Sequence, residues 1–159
     1  MPQKGQSSNT TSVRSRVANL PGVGVGMLDT LQALLGQPIK FREIPGDVSV
    51  LGEFQRAGTT PTDTATVLLN ILKTGEMAGK KRPFSYGTQT PAGVLSHEAI
   101  GHGVFGQSFD PASEQQADML GRAFLRLTGR GAGLSDPSME EFMVTVRLSK
   151  LLEGLGNGG

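Results

Sequence analysis

The chain has 159 residues, a single-domain length, and is rich in glycine with 23 of them. Its 15 Lys+Arg nearly balance 14 Asp+Glu, which argues against a nucleic-acid binder held by bulk charge. With no cysteine, disulfide scaffolds, Cys-ligated zinc fingers, iron–sulfur clusters and thiol nucleophiles are excluded. No apolar run approaches the ~18 residues of a membrane helix, so no membrane partner is expected.

Residues 1–19 are polar, Ser/Thr-rich and free of acid, and read as a disordered arm ahead of one domain over 20–155. They lack the apolar stretch of a signal peptide, which makes the cytoplasm the default location. Leu20–Gly26 reads as a glycine-punctuated turn or short strand. From Met27 the spacing of Leu28, Leu31, Leu34 and Leu35 predicts a helix that Gly36 and Pro38 stop. Strands are expected at Ile39–Ile44 and Val48–Phe54, separated by Pro45-Gly46-Asp47.

Thr60, Pro61 and Asp63 read as a helix start, with Ala65, Leu68, Leu69 and Leu72 as its buried stripe and an end near residue 74. Glu76–Arg82 reads as a basic connection and Pro83–Thr88 as a short edge strand. Three helices complete the chain: Pro91 to Gly106, Pro111 to Thr128 capped by Asp110, and Asp136-Pro137 to about Glu153, followed by a frayed tail. On the last, Phe142, Met143 and Val146 read as core. The fold class expected is α+β, mostly helical, with a small sheet.

The chemistry concentrates in SHEAIGHGVFGQ at 96–107. Both histidines of the chain, His97 and His102, lie there five positions apart, with Glu98 directly after the first. Chance produces such a grouping with a probability on the order of 10⁻³, so a metal site outweighs two ordinary helix histidines. Regular α-helical geometry opposes that reading. Five residues advance about 500°, which leaves the rings ~140° apart, whereas the His-Glu-x-x-His spacing leaves ~40°. A π turn absorbs the extra residue and returns both rings to one face, and Gly101 eases the distortion. A π-bulge is therefore a requirement of the metal site.

The HEAIGHG stretch resembles the TldD-type peptidases, whose His-Glu-x-x-x-His motif also binds zinc. That family's third ligand is a cysteine, which this chain lacks, so the third ligand must come from elsewhere. SEQQADMLGR at 113–122 resembles the Glu-x-x-Ala-Asp signature on the second ligand helix of gluzincin-type metallopeptidases. The resemblance implies a small zincin-like domain in which Glu114 is the third zinc ligand and Asp118 the carboxylate partner of a zinc-bound histidine. Helical arithmetic is compatible with this. Glu114 and Asp118 are i,i+4, Gln115, Arg122 and Arg126 fall on a solvent arc, and Leu120, Phe124 and Leu127 fall on a core arc. Gly121 would let a neighbouring helix approach closely. Asp110 is the alternative ligand, although it suits a helix N-cap better.

Two imidazoles and one carboxylate leave a coordination position open, the pattern of catalytic zinc (Zn2+). Glu98, next to a ligand but outside the set, would be the general base. Tyr86 or Arg82 is a candidate to stabilise an oxyanion, and the 83–88 segment a candidate to pair with a peptide. The expected function is thus a zinc-dependent hydrolase, a metalloprotease acting on a peptide or protein substrate. The alternative is a noncatalytic metal-stabilised interaction or virion domain, and a delivered toxin or phage context fits the zinc reading equally well. GVGVG at 22–26 lacks the dinucleotide-binding spacing, and GEMAGKK at 75–81 lacks the P-loop pattern.

Overall fold

A computed structural model describes residues 12–78, 89–132 and 134–158. It is a mostly helical α+β arrangement. In chain order come α1 (Val13–Ala18), α2 (Val25–Leu35), β1 (Ile39–Glu43), β2 (Gly52–Arg56), β3 (Ala65–Leu69) and α3 (Ile71–Ala78). Then follow α4 (Pro91–Ser96), a π-helical segment (His97–Val104), α5 (Pro111–Leu127) and α6 (Met139–Gly158). None of the described helices is long and apolar enough to cross a membrane.

The sheet order is β1-β3-β2, with β1 parallel and β2 antiparallel to β3. Val67 on the central strand pairs with Phe41 on one side and Phe54 on the other, and all three are buried. This row joins Leu28, Leu31, Leu95, Ile100 and Phe124 in one core. The sheet thereby packs against the helix that carries the histidines.

β3 replaces the helix expected from Thr60 to residue 74. The start signal at Thr60 is real but closes only a local turn: the Thr60 amide and hydroxyl both donate to Asp63 Oδ2, at 3.0 and 2.8 Å. Beyond it Ala65, Val67 and Leu69 alternate inward with period two, as a central strand requires. Helix begins only at Ile71, and it takes in Glu76 and Met77 from the expected connection. Asn70 divides the two elements. Its Oδ1 accepts from the Lys73 amide at 3.0 Å as a helix cap, while its Nδ2 donates to Val48 O at 2.9 Å and Val50 O at 3.1 Å. Those bonds hold 48–51 out of the sheet, so β2 starts at Gly52 rather than Val48.

Other differences are smaller. Part of the supposed arm is α1, capped by the Ser12 side chain on the Ser15 amide and anchored by fully buried Val17. The last helix runs on to Gly158. Phe142 and Met143 are 53% and 56% exposed, and Val146 is exposed too, so they are not core. The inward face of α6 carries Val144, Leu148 and the carboxylate of Glu141 instead. Glu141 accepts from Arg122 Nε at 2.8 Å and also pairs with Arg126, so these two residues of the arc of α5 expected to face solvent meet α6, while Gln115 is exposed as expected. Residues 1–11, the Pro83–Thr88 strand, Arg82 and Tyr86 lie outside the described residues.

Candidate metal centre

Thr90 caps α4 by accepting from the Gly93 amide, and Pro91 occupies its first turn. Regular α-helix lasts only to Ser96. From His97 the chain widens into the π-helix, in which the Phe105 amide donates to Ile100 O, five residues back, at 3.0 Å. The widened turn carries His97 and His102 to the same side, with ring centroids 4.9 Å apart. Gly101, in the middle of it, is a packing requirement more than a hinge. A Cβ there would lie 2.5 Å from Ala117 Cβ. Gly121 plays the complementary part on α5, where a Cβ would lie 3.0 Å from the His97 amide nitrogen. Two Cβ-free positions thus let the π segment and α5 lie almost backbone to backbone.

α5 begins at Asp110, whose carboxylate accepts from the Ser113 amide at 3.0 Å and from the Ser108 hydroxyl at 2.6 Å. These bonds hold the Asp110 carboxyl at about 2, below its ordinary range. Asp110 is therefore the cap rather than the alternative ligand. One turn on, Glu114 Oε1 lies 2.8 Å from His97 Nε2 and 3.0 Å from His102 Nε2. The two Nε2 atoms are themselves 3.1 Å apart. Asp118, the next turn, takes His97 Nδ1 at 2.6 Å.

The proton inventory of this cluster is informative. A carboxylate and a peptide carbonyl only accept, so His97 Nδ1 donates to Asp118, and His102 Nδ1 donates to Gln107 O at 2.7 Å. In neutral rings that leaves both Nε2 atoms as bare lone pairs, facing each other and a carboxylate oxygen. Three acceptors within hydrogen-bonding distance, with no hydrogen among them, call for a cation between them. His97, His102 and Glu114 are a group able to hold a metal ion. A proton on His97 meets the same need: burial lowers its pKa, but the Asp118 hydrogen bond, the charges of Glu98 and Asp118 and the Glu114 hydrogen bond outweigh that and raise it above 6.5.

Glu98 stands beside the three donors. Its Oε2 is 3.8 Å from His97 Nε2, and its Oε1 is buried with no hydrogen-bond partner. Burial raises its pKa to about 7; His97 and His102 pull it down, and Glu114 and Glu53 push it up. A cleft of about 260 Å³, lined by Leu51, Gly52, Val94, His97, Glu98 and Asp118, opens at this carboxylate. A hollow of about 400 Å³ beside Gln37 and Pro38 includes none of these groups.

The structure thus brings together His97, Glu98, His102, Glu114 and Asp118. Sequence reasoning missed two contributors. Gln107 acts through a backbone carbonyl, which leaves no trace in residue type. Phe109 stacks on His102 and has no signal beyond its place just before the Asp110 cap. In comparisons with known proteins, the chain matches no family model, no curated protein and no solved structure.

Proposed function

We propose that the chain is a zinc-dependent hydrolase of zincin-like type, cleaving peptide bonds. One observation carries the reading: the Nε2 atoms of His97 and His102 and Glu114 Oε1 converge within 3.1 Å of one another, while the Glu98 carboxylate stands beside them. Three protein donors converge among the described residues: His97, His102 and Glu114. Two imidazoles and a carboxylate suit zinc.

His97, His102 and Glu114 would hold the ion. Bound there, zinc supplies Lewis acidity toward a carbonyl oxygen and lowers the pKa of a water. Glu98, with its Oε2 3.8 Å from His97 Nε2 and its Oε1 unpartnered, takes the proton of the attacking water and returns it to the leaving amine. The Asp118 carboxylate and the Gln107 carbonyl fix the tautomer and orientation of the two rings.

The test combines metal analysis with turnover. Purified protein should carry about one zinc per chain, and His97→Ala and His102→Ala should lose it. Glu98→Gln should keep the zinc and lose cleavage of a mixed quenched-fluorescent peptide library. A fully active Glu98→Gln protein, or a wild-type protein that takes up no zinc, would reject the proposal.

A further inference from the structure

Phe109 is 62% exposed, yet it is not a loose loop residue. Its ring stacks on His102 at 4.4 Å between centroids and 21° between planes, and the His102 side chain beneath it is only 1% exposed. The segment that presents it is fixed at both ends. The Gln107 amide donates to Gly101 O at 3.0 Å, and its carbonyl receives His102 Nδ1–H. Ser108 and Asp110 are bound to each other and to the start of α5. One face of the ring is therefore spent on a metal-site histidine, and the other is held toward water.

We infer that Phe109 is a specificity-determining residue, whose outward face is the platform for an aromatic or apolar side chain next to the bond being cut. This rests on the metallopeptidase reading above. The cleft lined by Leu51 and Val94 meets His97 and Glu98 but neither His102 nor Phe109. A chain laid across the three donors thus meets the recessed cleft at His97 and Glu98, and the Phe109 ring at His102. A ring already immobilised loses little freedom on binding, which favours it as a contact surface.

Zinc-chelating probes test this by binding alone. Acetohydroxamic acid and 3-phenylpropanohydroxamic acid share the chelating group and differ by a phenyl-bearing arm. On the zinc-loaded full chain the phenyl probe should bind about tenfold tighter, with an aromatic pair supplying about three- to tenfold of that. Phe109→Ala should remove most of this advantage while keeping its zinc and its affinity for acetohydroxamic acid. Phe109→Tyr should retain the advantage. An advantage that persists in Phe109→Ala places the phenyl group elsewhere and overturns the inference. So does an equal loss for both probes, which makes Phe109 only a support for His102. Zinc uptake with no preference in the wild type rejects the platform alone; no zinc uptake rejects the hydrolase reading and the platform with it.

Discussion

Gly101 and Ala117 meet so closely that a Cβ on the glycine would lie 2.7 Å from the alanine Cα as well as 2.5 Å from its Cβ. Neither atom is the end of a flexible side chain, so one backbone must retreat. Gly101→Ala should therefore destabilise the protein by about 1–3 kcal/mol, overriding the ~1 kcal/mol that alanine gains over glycine in a helix. Because the displaced segment carries His102, zinc affinity should fall with it. Urea titration and zinc competition on the same variant check both effects; a stabilised variant would contradict this packing.

Asp118 acts on the centre through His97. Asp118→Asn keeps the size of the side chain and an oxygen for Nδ1–H, but removes the charge that, on the proposed reading, would make His97 a better ligand. Zinc affinity should drop roughly 10–100-fold, with about one zinc per chain still bound at saturation. Competition against a chelator of known affinity reads the drop.

Glu98 ties stability to pH. Its folded pKa of about 7 lies above the unfolded value of 4.5, so the folded state holds this proton more tightly. The contribution is complete below about pH 4.5 and is lost as pH rises through 7, reaching about 3 kcal/mol. Gln mimics the protonated carboxyl. Metal-free Glu98→Gln should therefore match the wild type at pH 4.5 and exceed it by up to that amount at pH 8, measured by urea unfolding with chelator present.

His97 adds a term of the same sign. Its pKa is raised above 6.5, so the benefit of its proton is present below about 6.5 and lost as pH rises through the folded value. On the proposed reading, zinc would compete with that proton for Nε2. The increase in melting temperature on adding zinc should consequently be larger at pH 8 than at pH 5.5. Scanning calorimetry at the two values gives the comparison, and an equal or reversed increase would argue against His97 as a ligand.

Glu141 fastens α6 to α5. It is 4% exposed and bridges Arg122 and Arg126, so Glu141→Ala strands two guanidinium groups in a partly buried seam. The expected loss is about 2–4 kcal/mol. Zinc stoichiometry should be unchanged, since none of the three residues touches the donors. Denaturant titration alongside metal analysis separates the two.

The grouping of His97, Glu98, His102, Glu114 and Asp118 was more legible in the sequence than the strands and helix faces around it. Two histidines at i,i+5 admit a shared ion only on a π turn, so their spacing implied the backbone deformation that His97–Val104 adopts. The Glu114–Asp118 pair was readable through its resemblance to the Glu-x-x-Ala-Asp signature, with which i,i+4 spacing on one helix face is compatible. β3 was not, because Ala65, Leu68, Leu69 and Leu72 satisfy a helical stripe as well as Ala65, Val67 and Leu69 satisfy a strand. What decides is non-local: β1 and β2 flank this segment on both sides. The inward face of α6 was misread for a related reason, since its centre is a carboxylate whose two arginine partners lie on another helix.

The histidines, Glu114 and Asp118 are at most 21 positions apart along the chain. The centre is thus topologically local, and closing it requires no strand of the sheet. Contacts of short sequence separation form early and fast. β1 and β3 pair across 26 positions and precede this hairpin of helices in the chain, so an ion captured here would close a centre laid against a sheet that is synthesised first.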